Sequence, residues 1–254
     1  MLLKRLRKLI LYTLILFMSH SRWPEIKYLS ERAILLHWGS TINPALNRSI
    51  HHLGKQIQSH PFPGFKELVP AYSSLAVYYD PTAISLGSPS REPWLTVRDQ
   101  LENFLKSEFS EEILEQNEVV RIPVLYNGPD LISLANSKSL SVEEVILIHS
   151  SCVYDVFMLG FLPGFAYLGL VDDRIASPRL ASPRTNVPAG SVGIAGNQTG
   201  IYPVASPGGW QLIGTTPVKM FDPNRVNSSL LSPGDRVQFC PIDESGYLEL
   251  KQAQ

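Results

Sequence analysis

From about residue 160 onward the chain never runs far without a glycine or a proline, and this punctuation limits what it can fold into more than any other feature. Both residues break helices, and the apolar runs between them are too short for a helical stripe. Short apolar segments separated by Gly, Pro and Asn predict many brief strands, as in a β-barrel or a sandwich. The chain has 20 prolines and 17 glycines, and that density excludes a helical bundle. The helical signal is expected to stop beyond Tyr154 and not to return.

The first half reads differently. Tyr28 to Trp38 predicts a strand or hairpin centred on Ile34, Leu35 and Leu36. Asn43 then caps a helix whose first position holds Pro44, where no amide hydrogen bond is lost. Leu46, Ile50, Leu53 and Ile57 recur at helical spacing as its buried stripe. A strand follows at Leu75 to Tyr79, with Leu75, Val77 and Tyr79 on one face. A second helix is expected from Thr96, burying Val97, Leu101, Phe104 and Leu105. This β-α-β-α order suits a small α+β domain. The acidic stretch Glu108 to Glu118 reads as a connection. After it, Val120, Ile122 and Val124 alternate as a strand that Pro123 marks as an edge. Ser141 and Glu144 form a capping-box pair ahead of a short helix ending near Ser150.

The resulting fold class is α+β: an N-terminal extension over 1–22, a small α+β domain over 23–108 and a β domain over 109–254. In the extension, Lys4, Arg5, Arg7 and Lys8 precede an apolar run from Leu9 to Met18. The run would make a helix of roughly 15 Å, about half of a bilayer core, and no small-residue cleavage pattern follows it. It resembles a signal sequence or an over-called start. Membrane contact is expected only through residues 1–18, and a cytoplasmic protein is favoured over a tethered one. The net charge is −1, or −5 without those four bases. No basic stripe is present, so nucleic-acid binding is excluded. Cys152 and Cys240 offer neither a disulfide framework nor a zinc spacing, and two reduced, mostly buried thiols are expected. No P-loop, Rossmann glycine pattern, His-Glu-x-x-His or Gly-x-Ser-x-Gly elbow occurs, and no metal is expected. His51 and His52 are adjacent on a helix and cannot face one metal together.

The chemistry-bearing residues concentrate between 149 and 217. The segment from His149-Ser-Ser-Cys-Val-Tyr154 reaches Gly160-Phe-Leu-Pro-Gly-Phe165-Ala-Tyr-Leu-Gly169. Ser177-Pro-Arg179 and Ser182-Pro-Arg184 follow, then Val187-Pro-Ala-Gly-Ser-Val-Gly-Ile-Ala-Gly-Asn-Gln-Thr-Gly-Ile-Tyr202. Ser206-Pro-Gly-Gly-Trp210 and Ile213-Gly-Thr-Thr-Pro217 close the block. Each carries a structural and a functional reading. Arg179 and Arg184, each held by a preceding proline, could clamp a carboxylate or phosphoryl group, or merely bridge loops. His149 suits a general acid or base, or a donor to an oxyanion, and equally a capped helix end. Asn197, Gln198 and Thr199 could read an amide, or form a hairpin turn. Tyr202 offers a hydroxyl. Gly208 and Gly209 allow close backbone approach to a ligand, or a barrel corner. The catalytic candidates are therefore His149 and Arg184. The substrate-binding candidates are Arg179, Asn197, Gln198, Thr199, Tyr202, Gly208 and Gly209.

These clusters, in this order, resemble the KipI family, whose members are also called PxpB, the B-type 5-oxoprolinase subunit, and allophanate hydrolase subunit 1. The resemblance runs from about Trp23 to Glu249. It implies a small α+β domain followed by a cyclophilin-like β-barrel. It also implies a subunit of an ATP-dependent 5-oxoprolinase, converting 5-oxo-L-proline to L-glutamate only with partner subunits of the KipA/PxpC type and the LamB/YcsF-like PxpA type. ATP would then bind in, or be shared with, a partner. Within the same resemblance lie two alternatives, a regulator that inhibits a sensor histidine kinase and an amide-processing subunit of urea or allophanate metabolism. One departure is the segment Tyr126–Asp130, which is shorter than the family's loop before its Gly-Pro-Asp.

Overall fold

The computed structural model describes residues 23–84, 91–108 and 118–253. The extension over 1–22 and most of the acidic connection lie outside them. The chain divides into two compact units, Met1–Leu114 and Glu115–Gln254.

In the first unit, β1 (Glu25–Ser30) and β2 (Ala33–His37) form a hairpin. Helix α1 (Pro44–Ser59) follows, then β3 (Phe65–Pro70), β4 (Ser74–Tyr79) and helix α2 (Pro93–Glu108). The sheet order is β1-β2-β4-β3, with every pair antiparallel. Asn43 caps α1 as expected, its Oδ1 accepting from Ala45 N at 2.9 Å and Leu46 N at 3.1 Å. Ile50, Leu53 and Ile57 of α1 meet Val97, Leu101 and Leu105 of α2 and the inward residues Ile34, Leu36, Leu75, Val77 and Tyr79 in one core. Each such fully buried aliphatic side chain contributes about 1.5–3 kcal/mol. Leu46 and Phe104 are only partly buried against it.

One expectation needs correction here, and one strand is added. Helix α2 begins at Pro93, three residues before Thr96, because proline is well accommodated in a first helical turn. Strand β3 escapes a hydrophobic reading because it is an edge strand, with Lys66 and Glu67 exposed at its middle.

The second unit is the barrel. Its strands are β5 (Val119–Val124), β6 (Val153–Leu159), β7 (Ala166–Gly169), β9 (Ser191–Ala195), β10 (Gln198–Ile201), β12 (Gln211–Thr215) and β13 (Arg236–Pro241). They run in the order β12-β9-β10-β7-β6-β13-β5. Strand β5 is at the edge of that order, where Pro123 placed it. A reciprocal bridge between Leu125 and Thr215, both bonds 2.8 Å, joins that edge to β12 and nearly closes the sheet. Gly128 makes the closure possible, since a Cβ there would run into the Leu212 carbonyl oxygen. A separate two-stranded ribbon pairs β8 (Arg184–Val187) with β11 (Ser206–Gly208).

Helices α3 (Leu131–Ser137) and α4 (Val142–Ser151) precede β6, and α4 carries the full Ser141–Glu144 capping box. Helix α3 is too short to show a period. The expectation that no helix follows Tyr154 fails at α5 (Glu244–Gln252). That helix buries no residue and so presents no apolar stripe; the Asp243 side chain caps it by accepting from Gly246 N. The two thiols are free and half-buried rather than mostly buried. No helix among the described residues is long and apolar enough to cross a membrane.

Candidate functional site

Strand alternation sorts the candidate residues of β10 onto two sides of the barrel wall. Thr199 and Ile201 point inward with Val192, Ile194 and Leu168, while Gln198, Gly200 and Tyr202 point outward. The two sides hold different chemistry.

Inside, His149 at the end of α4 is completely buried and stacks on Phe239 with ring centroids 4.5 Å apart. The Thr199 hydroxyl donates to the Gly193 carbonyl at 3.0 Å, so it accepts from His149 Nε2–H at 2.9 Å. His149 Nδ1 is then the acceptor for the Tyr126 hydroxyl at 2.7 Å. The Tyr154 hydroxyl donates to the His149 carbonyl at 2.9 Å. Burial lowers the His149 pKa to about 3, and burial also pushes the Tyr126 and Tyr154 phenols well above their ordinary range. In this chain the ring is neutral, both of its nitrogens are engaged and it has no exposure. The structure places His149, the expected acid or base, as a buried hub with Thr199 as its hydrogen-bond partner.

Outside, Phe165, Tyr202, Trp210 and Leu212 form a second apolar cluster with Val187 of the ribbon, and Tyr167 packs at its margin. Phe165 stands edge-on to both Tyr202 and Trp210, at 5.3 Å and 5.4 Å. Their rings come this close to the wall because β10 has Gly200 there, where a Cβ would meet Trp210 at 3.1 Å and Phe165 at 3.3 Å. Gly208 has a comparable reason to be glycine: a Cβ would collide with the Tyr202 hydroxyl. Its smallness thus serves Tyr202 rather than a ligand. Gly209 makes only ordinary contacts, and its carbonyl accepts from Leu180 N at 2.7 Å.

Arg184 starts β8 and turns to Asp130, with Nη2 2.5 Å from Oδ1, while its Nη1 donates to the Trp210 carbonyl at 3.2 Å. The other Asp130 oxygen accepts from Leu212 N at 2.6 Å. This carboxylate ties the short Tyr126–Asp130 segment to β12 and to the ribbon. The structure places Arg184, a catalytic candidate, in a tie between the ribbon, Asp130 and β12. Asp130 is the residue that sequence reasoning undervalued, and the Gly-Pro-Asp string was its signal.

Arg179 remains exposed, and no ion-pair partner for it is found among the described residues. Its charge acts on the phenols of both Tyr167 and Tyr202, and that of Arg184 also acts on Tyr202. Burial nonetheless raises the Tyr202 pKa, outweighing the Trp210 amide and the two arginines. Reciprocal backbone bonds between Ser177 and Gly196, 3.0 Å and 2.6 Å, bring the Arg179 segment alongside the β9–β10 hairpin. Asn197 is the exposed second residue of that hairpin's two-residue turn, after Gly196 at φ +61°. Next to it, the buried Gln198 side chain has an amide nitrogen with no hydrogen-bond partner among the described residues. Arg179, Arg184, Tyr202, Gly208 and Gly209 thus share the outer face, which Gln198 also points toward, while His149 and Thr199 are enclosed. Phe161, in the Gly160–Phe165 motif, lies 62 % exposed with φ +68°, edge-on to Phe165 at 5.6 Å.

Comparison with known proteins places this architecture. Residues 24–231 match the family model for the carboxyltransferase domain, subdomain C and D. The B-type 5-oxoprolinase subunit of Bacillus subtilis (strain 168) is 44% identical over 233 residues, covering 90% of this chain and 97% of the relative. The crystal structure of TTHA0988 is 39% identical with a TM-score of 0.72, and the match covers 84% of this chain but only 40% of that one. The urea carboxylase of Kluyveromyces lactis shares the fold at 19% identity and a TM-score of 0.68, over 90% of this chain and 23% of its own. With most of both sequences matched in the Bacillus subtilis comparison, the chain belongs to the carboxyltransferase subdomain C and D family, in its KipI branch of B-type 5-oxoprolinase subunits.

Proposed function

We propose that this chain is one subunit of an ATP-dependent 5-oxoprolinase, hydrolysing 5-oxo-L-proline to L-glutamate together with KipA/PxpC-type and LamB/YcsF-like PxpA-type partners in the cytoplasm. The observation that carries this reading is the 44% identity to a B-type 5-oxoprolinase subunit over 97% of that protein. The outer face of the barrel supplies suitable chemistry. An exposed Arg179 suits the substrate carboxylate, and the Gln198 amide nitrogen, unpartnered but buried in this chain, is the kind of donor a lactam carbonyl needs once the face opens to it. The partly exposed Tyr167, packed on the buried Phe165 and Trp210, gives that face an aromatic surface for a flat five-membered ring.

A lactam carbonyl is a poor electrophile, and phosphorylating its oxygen converts that oxygen into a leaving group. Donors aimed at the developing charge in a water-poor site favour such a step. The sequence has no P-loop for a triphosphate, so ATP is assigned to a site in, or shared with, a partner. The test is ATP-dependent glutamate release from 5-oxoproline by this chain alone and co-expressed with both partner types. Release only by the full mixture is expected. No release by a verified, assembled complex would sink the proposal. The carboxyltransferase family match favours one second reading, a subunit that processes urea or a related amide, and the same mixture assayed with urea and bicarbonate distinguishes it.

A further inference from the structure

The antiparallel unit carries a cavity of about 380 Å³, remote in sequence from the barrel chemistry. Tyr28, Glu31, Tyr79, Glu92, Pro93 and Trp94 contribute to its lining. Tyr28 and Trp94 form an aromatic corner, with centroids 5.6 Å apart and planes at 66°. Glu31 and Glu92 bring two carboxylates on exposed residues, and no basic side chain lines the cavity among the described residues. Glu92 is oriented by the ring itself, since Trp94 Nε1 donates to its Oε2 at 2.5 Å. Tyr79 is 1 % exposed, and its hydroxyl has no hydrogen-bond partner among the described residues. Burial, and secondarily Tyr28, keep that phenol protonated by raising its pKa.

The signs of these groups select the ligand. The N-terminus of α2 favours an anion by only about 0.3–1 kcal/mol when exposed, and two carboxylates oppose one. Aromatic faces and carboxylates together favour an organic cation. The Trp94 ring already attracts one, with the Arg98 guanidinium 5.6 Å from its centroid. A hydroxyl lacking a partner favours a cation that carries N–H donors over a quaternary one.

We propose that this cavity binds a primary ammonium group on a short alkyl stem. The source is either a free amine or the side chain of a lysine, which presents the same chemistry. The site is independent of the barrel and of the activity assigned above.

The test is titration of the full chain with n-butylammonium, following the Trp94 indole N–H by NMR; Trp94→Phe identifies that resonance. Saturable shifts are expected, with n-butanol binding at least about threefold more weakly because it lacks the charge. Glu31→Gln and Tyr79→Phe, each with an otherwise unchanged amide spectrum, should each weaken n-butylammonium by about threefold. Tighter binding of acetyl-Gly-Lys-Gly-amide supports the proposal with lysine as the source; binding of n-butylammonium alone supports it with a free amine. Shifts that do not saturate, equal affinity for n-butanol, or unchanged affinity in both variants would overturn it.

Discussion

Gln198 and Thr199 are neighbours on one strand, yet they belong to different chemical worlds. Thr199 faces the barrel interior, where its hydroxyl, the His149 ring and the Tyr126 phenol satisfy one another completely. Gln198 faces out, with an amide nitrogen that nothing among the described residues satisfies, on the side where Arg179 is exposed. The interior is polar but closed and neutral, whereas the outer face is charged and incompletely paired. Polar residues that look equivalent in a motif are thus divided by the two-residue period of a strand. Closed networks stabilise a fold; open ones are where a ligand can gain binding energy.

The comparison is broken most directly by removing its inner hub. His149→Ala would leave a cavity and strand the Tyr126 hydroxyl, and should cost about 3–5 kcal/mol of stability. Urea unfolding of the purified chain measures it, and a loss below about 1 kcal/mol would show that the interior is not closed. Asp130→Ala comes next. It frees the buried Leu212 amide and leaves Arg184 without its carboxylate, for a loss of about 2–3 kcal/mol in the same assay. Arg184→Ala should lose less than Asp130→Ala, because the Asp130 carboxylate keeps the Leu212 amide. A larger loss for Arg184→Ala would give the arginine, not the aspartate, the central place in that tie.

Acid sharpens the same contrast. His149 has a pKa of about 3 when folded and 6.5 in a free chain. Between those values the unfolded state holds a proton that the folded state does not, so stability rises with pH there. The contribution is fully present above pH 6.5 and is lost as pH falls toward 3, at up to about 1.4 kcal/mol per pH unit. Stability curves of the wild type and His149→Gln should therefore converge on acidification. Curves that stay parallel between pH 6.5 and 5 would mean that His149 is already charged or solvated.

How much of this was legible in the sequence depends on whether a residue acts within its own element or across the fold. The Asn43 and Ser141 caps, the α1 stripe and the edge position of Pro123 each follow from local chemistry and stand as read. Strand β3 and helix α5 are not legible in the sequence because their solvent-facing residues carry no apolar period. The same division runs through the site. Pro-Arg pairs and a Gly-Asn turn show that something is positioned, but not what it meets. That Arg184 is taken by Asp130, 54 residues away, and His149 by Thr199, 50 residues away, is information only the folded barrel contains.

The smallest expected change in stability is also the one that separates the two faces most cleanly. Arg179 is exposed and, among the described residues, holds no ion pair, so Arg179→Ala should alter unfolding free energy by less than about 0.5 kcal/mol. If the outer face binds the substrate carboxylate, the same substitution should raise the KM of the assembled complex for 5-oxoproline at least about tenfold, the loss of one charged hydrogen-bonding partner. Arg179→Lys keeps the charge but not the planar fork, and should recover only part of that loss. Both variants are measured by steady-state glutamate release beside an unfolding curve of the chain alone. A stability loss above about 1 kcal/mol would move Arg179 to the structural side with Arg184. Unchanged kinetics with unchanged stability would place the substrate carboxylate elsewhere and leave Gln198 to be tested without it.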